Sequence, residues 1–155
     1  MKKLAYILLM IIVVPASAQK RPVDYVNTLI GTHNSRWEQF PGPARPFGMV
    51  KLSPDNQEQG WKAGYEYELT SIAGFSHIHD WTMGGVLVMP TVGKLETQPG
   101  TERNPDGGYR SKFRHETEKG EAGYYSVMLD DHNIKAELTT TPRTGFHRYT
   151  FPQSD

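Results

Sequence analysis

The chain has 155 residues with 17 basic and 17 acidic side chains, so it carries no formal net charge at neutral pH. A near-neutral chain lacks the basic surface that binds phosphate backbones, so nucleic acid is not expected as a partner. Cysteine is absent, which excludes disulfides and thiolate metal sites.

The N-terminus has the pattern of a secretory signal peptide. Two lysines precede an apolar run, Leu4 to Val14, and the small residues Ala16 and Ala18 then form a cleavage pattern. The apolar run is too short for a helix that must cross a bilayer core of about 30 Å. We therefore expect cleavage after residue 18, a periplasmic or secreted protein, and no contact with the membrane afterwards. Loss of the two lysines leaves the mature chain, residues 19–155, with a formal charge of −2.

Short strands are the elements predicted after the signal peptide. The 15 glycines and 11 prolines interrupt the chain so often that few windows could hold a long helix. Runs rich in β-branched and aromatic residues lie between them, in the order GMVKLSP, GYEYEL, IAGFSHI, GVLVMPTVG, YYSVMLDD, IKAELTTT and GFHRYTF. Roughly seven strands at about ten-residue spacing predict an all-β, antiparallel sandwich or barrel without a helix longer than about three turns.

The best-defined strand pair lies near the C-terminal end. Period-2 alternation gives each strand one apolar face. These faces are formed by Tyr125, Val127 and Leu129 in one strand and by Ile134, Ala136 and Leu138 in the next. The polar residues Asp131 to Asn133 between the strands predict a hairpin turn.

Two long loops are candidates for carrying binding residues. They run from His33 to Gly48, where three prolines restrict the backbone, and from Glu96 to Lys112, which is mostly polar. Long ordered loops on a β scaffold commonly hold binding side chains, so we expect a site near one or both of them.

The stretch FSHIHDW, residues 75–81, concentrates side chains that bind ligands. His77 and His79 are two apart, so on a strand both rings would project from the same face, a spacing that suits a metal ion. The di-zinc pattern H-x-H-x-D-H is not completed, since Trp81 and Thr82 occupy its last two positions. Three interpretations stay open at this point: a transition-metal site, histidines with a structural role, and a polar cluster that faces a ligand.

Tryptophans and carboxylates in polar segments are further candidates. Trp37, Trp61 and Trp81 lie beside glycine, proline or charged residues, where an indole ring can stack on a sugar or pack at the base of a loop. A glycosidase needs two carboxylates that face each other across a sugar. Those available are Asp55, Glu58, Glu66, Asp80 and Asp106, and their polar surroundings make solvated surface the default for each.

Five motifs occur in a specific order over nearly the whole mature chain. They are VNTLIGT at 26–32, FPGPARPFGMVKLSPD at 40–55, GYEYELTSIAGFSHIH at 64–79, LVMPTVG at 87–93 and YYSVMLDDHNIKAELTTTPRTGFHRYTFP at 124–152. In this order they resemble glycoside hydrolase family 92. The resemblance implies a secreted, inverting, calcium-dependent exo-α-mannosidase, with α-1,2 linkages in N-glycans or mannan as the expected substrate.

The resemblance also implies a two-domain architecture. An N-terminal antiparallel β-sandwich, residues 19–155 here, would pack on a C-terminal helical (α/α)6 barrel that is missing from these residues. The catalytic acid, the catalytic base and most calcium ligands would belong to that barrel. We therefore expect an incomplete N-terminal domain that is inactive alone and contains neither catalytic residues nor a metal site.

The sandwich would contribute loops that contact a mannose-containing glycan. By their match to family motifs, Trp61, His77 and His79 are the first candidates for substrate contact, followed by Tyr65, Asp80 and Trp81. Two alternatives remain: a carbohydrate-binding β-sandwich module without catalytic activity, and a secreted metal-dependent hydrolase centred on His77 and His79.

Overall fold

A computed structural model describes residues 19–33, 39–57, 64–79 and 83–153. Within these ranges the regular structure consists of antiparallel strands and short 3-10 helices, without an α-helix. The predicted all-β antiparallel class is confirmed for this part of the chain. The same ranges contain no helix of the length and hydropathy needed to cross a membrane. The predicted signal peptide, residues 1–18, lies outside the described residues.

The strands are numbered in chain order. They are β1 Ser53–Asp55, β2 Ser71–Ile72, β3 Gly74–Ser76, β4 Ile78–His79, β5 Met83–Gly84, β6 Ser111–Lys112, β7 Lys119–Glu121, β8 Tyr124–Leu129, β9 Ile134–Thr140 and β10 Gly145–Thr150. The 3-10 helices are Pro22–Tyr25, Pro105–Gly107 and His115–Thr117.

The strands form two layers that share one core. One layer is a four-stranded sheet in the order β10-β9-β8-β7, while the shorter strands pair as β1 with β3, β2 with β6 and β4 with β5. The four-stranded sheet contributes Tyr125, Val127, Leu129, Ile134, Ala136 and Leu138 to the core, and the other segments contribute Val50, Leu52, Tyr65, Ile72, Phe75 and Phe113. Apolar side chains that meet between two layers are what stabilises a β-sandwich.

The β8–β9 hairpin forms as the alternation predicts. Leu129 pairs with Ile134 at the turn, and Tyr124 pairs with Thr139 at the far end. Asn133 has a φ of 50°, in the left-handed region that asparagine tolerates better than most residues. The six residues predicted to face the core are each at most 1% exposed. Local pattern and tertiary structure agree here because the apolar face of each strand enters the core.

Two predicted strands are wrong, and each has a physical cause. In GYEYEL, the side chain of Asn56 accepts a hydrogen bond from the backbone N–H of Glu66 and donates one to the Glu66 carbonyl, each at 2.8 Å. These backbone groups are therefore satisfied by a side chain and not by a neighbouring strand. In GVLVMPTVG, Val88 forms an isolated bridge with Phe75. Pro90 follows two residues later and cannot donate to a continued ladder.

Glu137 anchors the outer face of the four-stranded sheet. Its carboxylate accepts hydrogen bonds from Arg148 Nε at 2.7 Å, from an Arg148 terminal nitrogen at 2.6 Å and from the Tyr124 hydroxyl at 2.6 Å. The Arg148 guanidinium and the Tyr124 hydroxyl lower the pKa of Glu137 from its ordinary value near 4.5 to about 2. The ion pair between Arg148 and Glu137 therefore links β10 to β9 at neutral pH.

This pair should make part of the stability depend on acid pH. Because the pKa of Glu137 is lowered in the folded protein, its contribution is complete above about pH 4.5 and is lost as the pH falls through about 2. We expect Glu137→Gln to lower the free energy of unfolding by about 1 kcal/mol near neutral pH, since Arg148 is largely exposed. Urea denaturation of both proteins at several pH values measures this difference. If the difference in unfolding free energy between the two proteins persists unchanged at about pH 2, the pH dependence does not come from Glu137.

Candidate functional site

A cavity of about 450 Å³ opens beside β1 and β3. Its volume lies within the range that small-molecule sites occupy. The described residues that line it include Asp55, Ser76, Leu87, Gly100, Thr101 and Arg110. Gly100, Thr101 and Arg110 come from the long loop Glu96–Lys112, so this loop contributes to the cavity wall.

Asp55 is held at the cavity wall by a fully buried histidine. The Nδ1–H of His79 donates to the Lys51 carbonyl at 2.8 Å, and its Nε2 lies 3.0 Å from Asp55 Oδ1. His79 is 0% exposed and Asp55 is 6% exposed, so the contact is shielded from water. Phe40 covers the histidine ring, with 5.7 Å between ring centroids. The contact with His79 therefore holds one oxygen of the Asp55 carboxyl group in place.

Two polar atoms at the cavity have unused hydrogen-bonding capacity. Asp55 Oδ2 and Ser76 Oγ are both buried, and neither has a hydrogen-bond partner among the described residues. Buried polar atoms in native proteins are nearly always hydrogen-bonded, so this carboxyl oxygen and this hydroxyl leave hydrogen-bonding capacity in the cavity wall that a water or a polar ligand could use.

Arg110 also lines the cavity. One of its terminal nitrogens donates to the Asn56 carbonyl at 2.9 Å and to the carbonyl and hydroxyl of Ser71 at 3.3 Å each. Arg110 is only 3% exposed. Asn56 directly follows Asp55 in the sequence. The buried guanidinium therefore holds the backbone next to Asp55 in place.

The described lining of the cavity offers hydrogen-bonding groups to a ligand. Asp55 is the sole acidic side chain among the described residues that line it. Hydrolysis of a glycoside by the usual route needs a pair of carboxyl groups. A buried carboxyl oxygen beside a hydroxyl instead suits a ligand with adjacent hydroxyl groups, which can both donate and accept hydrogen bonds.

The described candidates from the sequence have different surroundings. Tyr65 and His79 are both 0% exposed, and His79 acts on the cavity through Asp55. His77 is half-buried at a bend between β3 and β4, and its Nε2 lies 3.3 Å from His147 Nε2. The two FSHIHDW histidines therefore have separate partners, although a regular strand predicted one shared face. None of the three is among the described residues that line the cavity, so their contact with substrate stays a prediction.

The other sequence candidates cannot be placed. Trp61, Asp80 and Trp81 lie outside the described residues, as do Trp37 and Glu58. Trp61 follows Gln57, a lining residue of the cavity, by four positions in the sequence.

Sequence reasoning missed the importance of three residues at the cavity. Asp55 was considered solvated surface because polar residues follow it, but His79 buries it. Ser76 and Arg110 have no local pattern that distinguishes them from other serines and arginines. The usable signal was the loop Glu96–Lys112, whose length and polarity predicted that it would contribute to a site.

Comparison with known proteins identifies the family. The glycosyl hydrolase family 92 N-terminal domain matches residues 25–155. The structure resembles the family 92 α-mannosidase BT3965 from Bacteroides thetaiotaomicron, solved with mannoimidazole, at a TM-score of 0.76 and 36% identity over 86% of this chain. It also resembles the inverting family 92 mannosidase BT2199 from the same organism, at a TM-score of 0.68 and 29% identity over 86% of this chain.

A relative from a fungus extends the comparison. A secreted glycosidase of Arthroderma benhamiae is 30% identical over 140 residues, which are 84% of this chain and 17% of the relative. The chain likewise spans 18% of BT3965 and 19% of BT2199. The match over residues 25–155, in an antiparallel fold shared with family mannosidases, shows that this chain belongs to glycoside hydrolase family 92 and matches its N-terminal domain.

Proposed function

We propose that this chain forms the N-terminal, substrate-contacting domain of a secreted exo-α-mannosidase, with the cavity at Asp55 and Ser76 as its contribution to sugar binding. The likeness to BT3965, solved with mannoimidazole, is the observation that supports it most directly. The unpartnered buried atoms of the cavity add a local reason, because a mannoside offers several adjacent hydroxyl groups. Secretion fits the description of the fungal relative.

The finer parts of the proposal concern the linkage, the stereochemistry and the metal. We place α-1,2-linked mannose of N-glycans or mannan as the substrate and inversion as the outcome, with the acid and base supplied by a C-terminal helical domain. The described residues contain no group of three or more His, Asp or Glu side chains able to hold a metal ion. These residues do not form a calcium site by themselves. A calcium ion would therefore be held by other residues of the full-length protein.

The activity itself is tested on the full-length protein. We expect hydrolysis of aryl α-mannosides and α-1,2-mannobiose, release of mannose with inverted configuration in an NMR time course, and loss of activity on treatment with a calcium chelator. Residues 19–155 alone should not hydrolyse these substrates. A full-length protein that binds mannosides without hydrolysing them would instead favour the alternative of a carbohydrate-binding module.

The role of the cavity is tested by Ser76→Ala. Because the Ser76 hydroxyl is buried without a partner among the described residues, its removal should leave stability unchanged or raise it by up to about 1 kcal/mol. The same change should lower kcat/KM on mannosides by about tenfold, since a hydrogen bond to the sugar is lost. Steady-state kinetics and denaturant unfolding measure the two effects separately.

A matched control is Ser111→Ala. Ser111 is also fully buried, but its hydroxyl donates to the Lys112 carbonyl and accepts from the Asp131 N–H. We expect this variant to be less stable by about 1 kcal/mol with unchanged kcat/KM. Unchanged kinetics in Ser76→Ala would remove the cavity from the substrate site without affecting the family assignment.

A further inference from the structure

His77 and His147 form a pair of imidazoles that local sequence does not bring together. His77 lies at the bend after β3 and His147 lies in β10, 70 positions later. Their Nε2 atoms are 3.3 Å apart, and their ring centroids are 5.0 Å apart at an interplanar angle of 43°. Both residues are half-buried, so the pair is protected but reachable from solvent.

The spacing of the two nitrogens is that of ligands on one metal ion. A tetrahedral zinc ion holds imidazole nitrogens at about 2.0–2.1 Å, which places two of them about 3.3 Å apart. The observed separation of 3.3 Å therefore leaves room for an ion bonded to both Nε2 atoms. No third histidine or carboxylate joins the pair within the described ranges, so water would complete the coordination.

The surroundings hold both rings in this position. His147 Nδ1 lies 2.7 Å from the Tyr149 hydroxyl, and when Nδ1 carries the proton and donates to that hydroxyl, the Nε2 lone pair is free to bind a metal. Gly145 makes room for the other ring, because a Cβ there would lie 2.6 Å from His77 Nε2.

We propose that His77 and His147 bind a divalent transition-metal ion through their Nε2 atoms, with Tyr149 as the outer hydrogen-bond partner of His147. The site differs from the metal site that the sequence raised, since His79 is bonded to Asp55 and Lys51 and cannot take part. It takes zinc, nickel or copper, because imidazole nitrogen prefers these ions to calcium. Zinc binding at this site is measured without any readout of the proposed mannosidase activity.

The experiment is a calorimetric titration of the untagged, chelator-stripped full-length protein with Zn²⁺. We expect one ion per chain, a raised melting temperature with zinc, and no displacement by excess Ca²⁺. His77→Ala and His147→Ala should each weaken the affinity at least about tenfold, and Tyr149→Phe should weaken it by about tenfold through the outer hydrogen bond. His132→Ala is the matched control, since its ring is bonded to the Tyr109 carbonyl and should not affect binding.

Gly145→Ala tests the same site with both imidazoles kept. Its new methyl group should displace the His77 ring and weaken zinc binding while leaving the ligand side chains intact. If a histidine variant fails to fold, Gly145→Ala still tests the site. Absence of saturable zinc binding, or wild-type affinity in His77→Ala or His147→Ala, would overturn the proposal and leave the pair as a neutral hydrogen bond between two imidazoles.

Discussion

Glu118→Ala should lower the free energy of unfolding by about 3–5 kcal/mol. The carboxylate accepts hydrogen bonds from the Tyr65 hydroxyl at 2.8 Å and the Tyr125 hydroxyl at 2.7 Å, and His115 Nδ1 lies 2.6 Å from it. Its side chain is 1% exposed, and both tyrosines are fully buried. Removal of the acceptor would leave two buried hydroxyl groups without partners, which is why the cost exceeds that of one ordinary hydrogen bond.

The tyrosines that donate to Glu118 are influenced by it and by their burial. Burial and this neighbouring carboxylate raise the pKa of Tyr65 and of Tyr125, so both hydroxyl groups stay protonated and donate. His115, stacked on Tyr67 with 4.0 Å between ring centroids, covers the open side of the cluster. The cluster joins residue 65 to β8 and to the 3-10 helix His115–Thr117.

Chemical denaturation measures the effect, with Glu121→Ala as the control. Glu121 lies three positions along the chain and pairs with Lys119 at 2.7 Å, but both side chains are more than half exposed. An exposed pair of this kind contributes about 1 kcal/mol or less. Glu118→Gln keeps an acceptor oxygen. Its loss of unfolding free energy should therefore lie between those of Glu118→Ala and Glu121→Ala. A loss below about 1 kcal/mol in Glu118→Ala would contradict the interpretation that the buried tyrosines depend on this carboxylate.

Phe75→Ala is expected to lower the free energy of unfolding by a similar amount, about 3–5 kcal/mol, because it leaves a cavity in the core. Phe75 is 0% exposed, lies in β3 between β1 and the bridge to Val88, and packs against Tyr149 at 6.1 Å between ring centroids. The missing ring would leave a cavity that two layers must close.

The comparison variants separate packing from surface effects. Phe75→Leu keeps most of the volume and should lose less than about 1.5 kcal/mol. Phe151→Ala removes a ring that is 52% exposed and should lose far less than Phe75→Ala. Urea unfolding of the wild-type protein and the three variants ranks their free energies of unfolding. Equal losses in Phe75→Ala and Phe151→Ala would show that β3 is not part of the core.

Local pattern was sufficient where apolar side chains alternate along a strand and so share one face. The alternation of Tyr125, Val127 and Leu129 predicted which side chains enter the core, and each is at most 1% exposed. It failed for GYEYEL, where the period-2 pattern is present but Asn56 takes the backbone hydrogen bonds of Glu66. A side chain ten positions away competes with a strand partner, and no local window contains that information.

By itself the sequence determined the all-β class, the β8–β9 hairpin and, through the order of its motifs, the family. Tertiary structure alone decided the environment of each polar side chain at the candidate sites. His79 meets Asp55 across 24 positions, Tyr65 meets Glu118 across 53, and His77 meets His147 across 70. Strand periodicity is a property of neighbouring residues and can be read locally. A buried polar group instead takes whichever partner the packing of the two layers brings within hydrogen-bond distance.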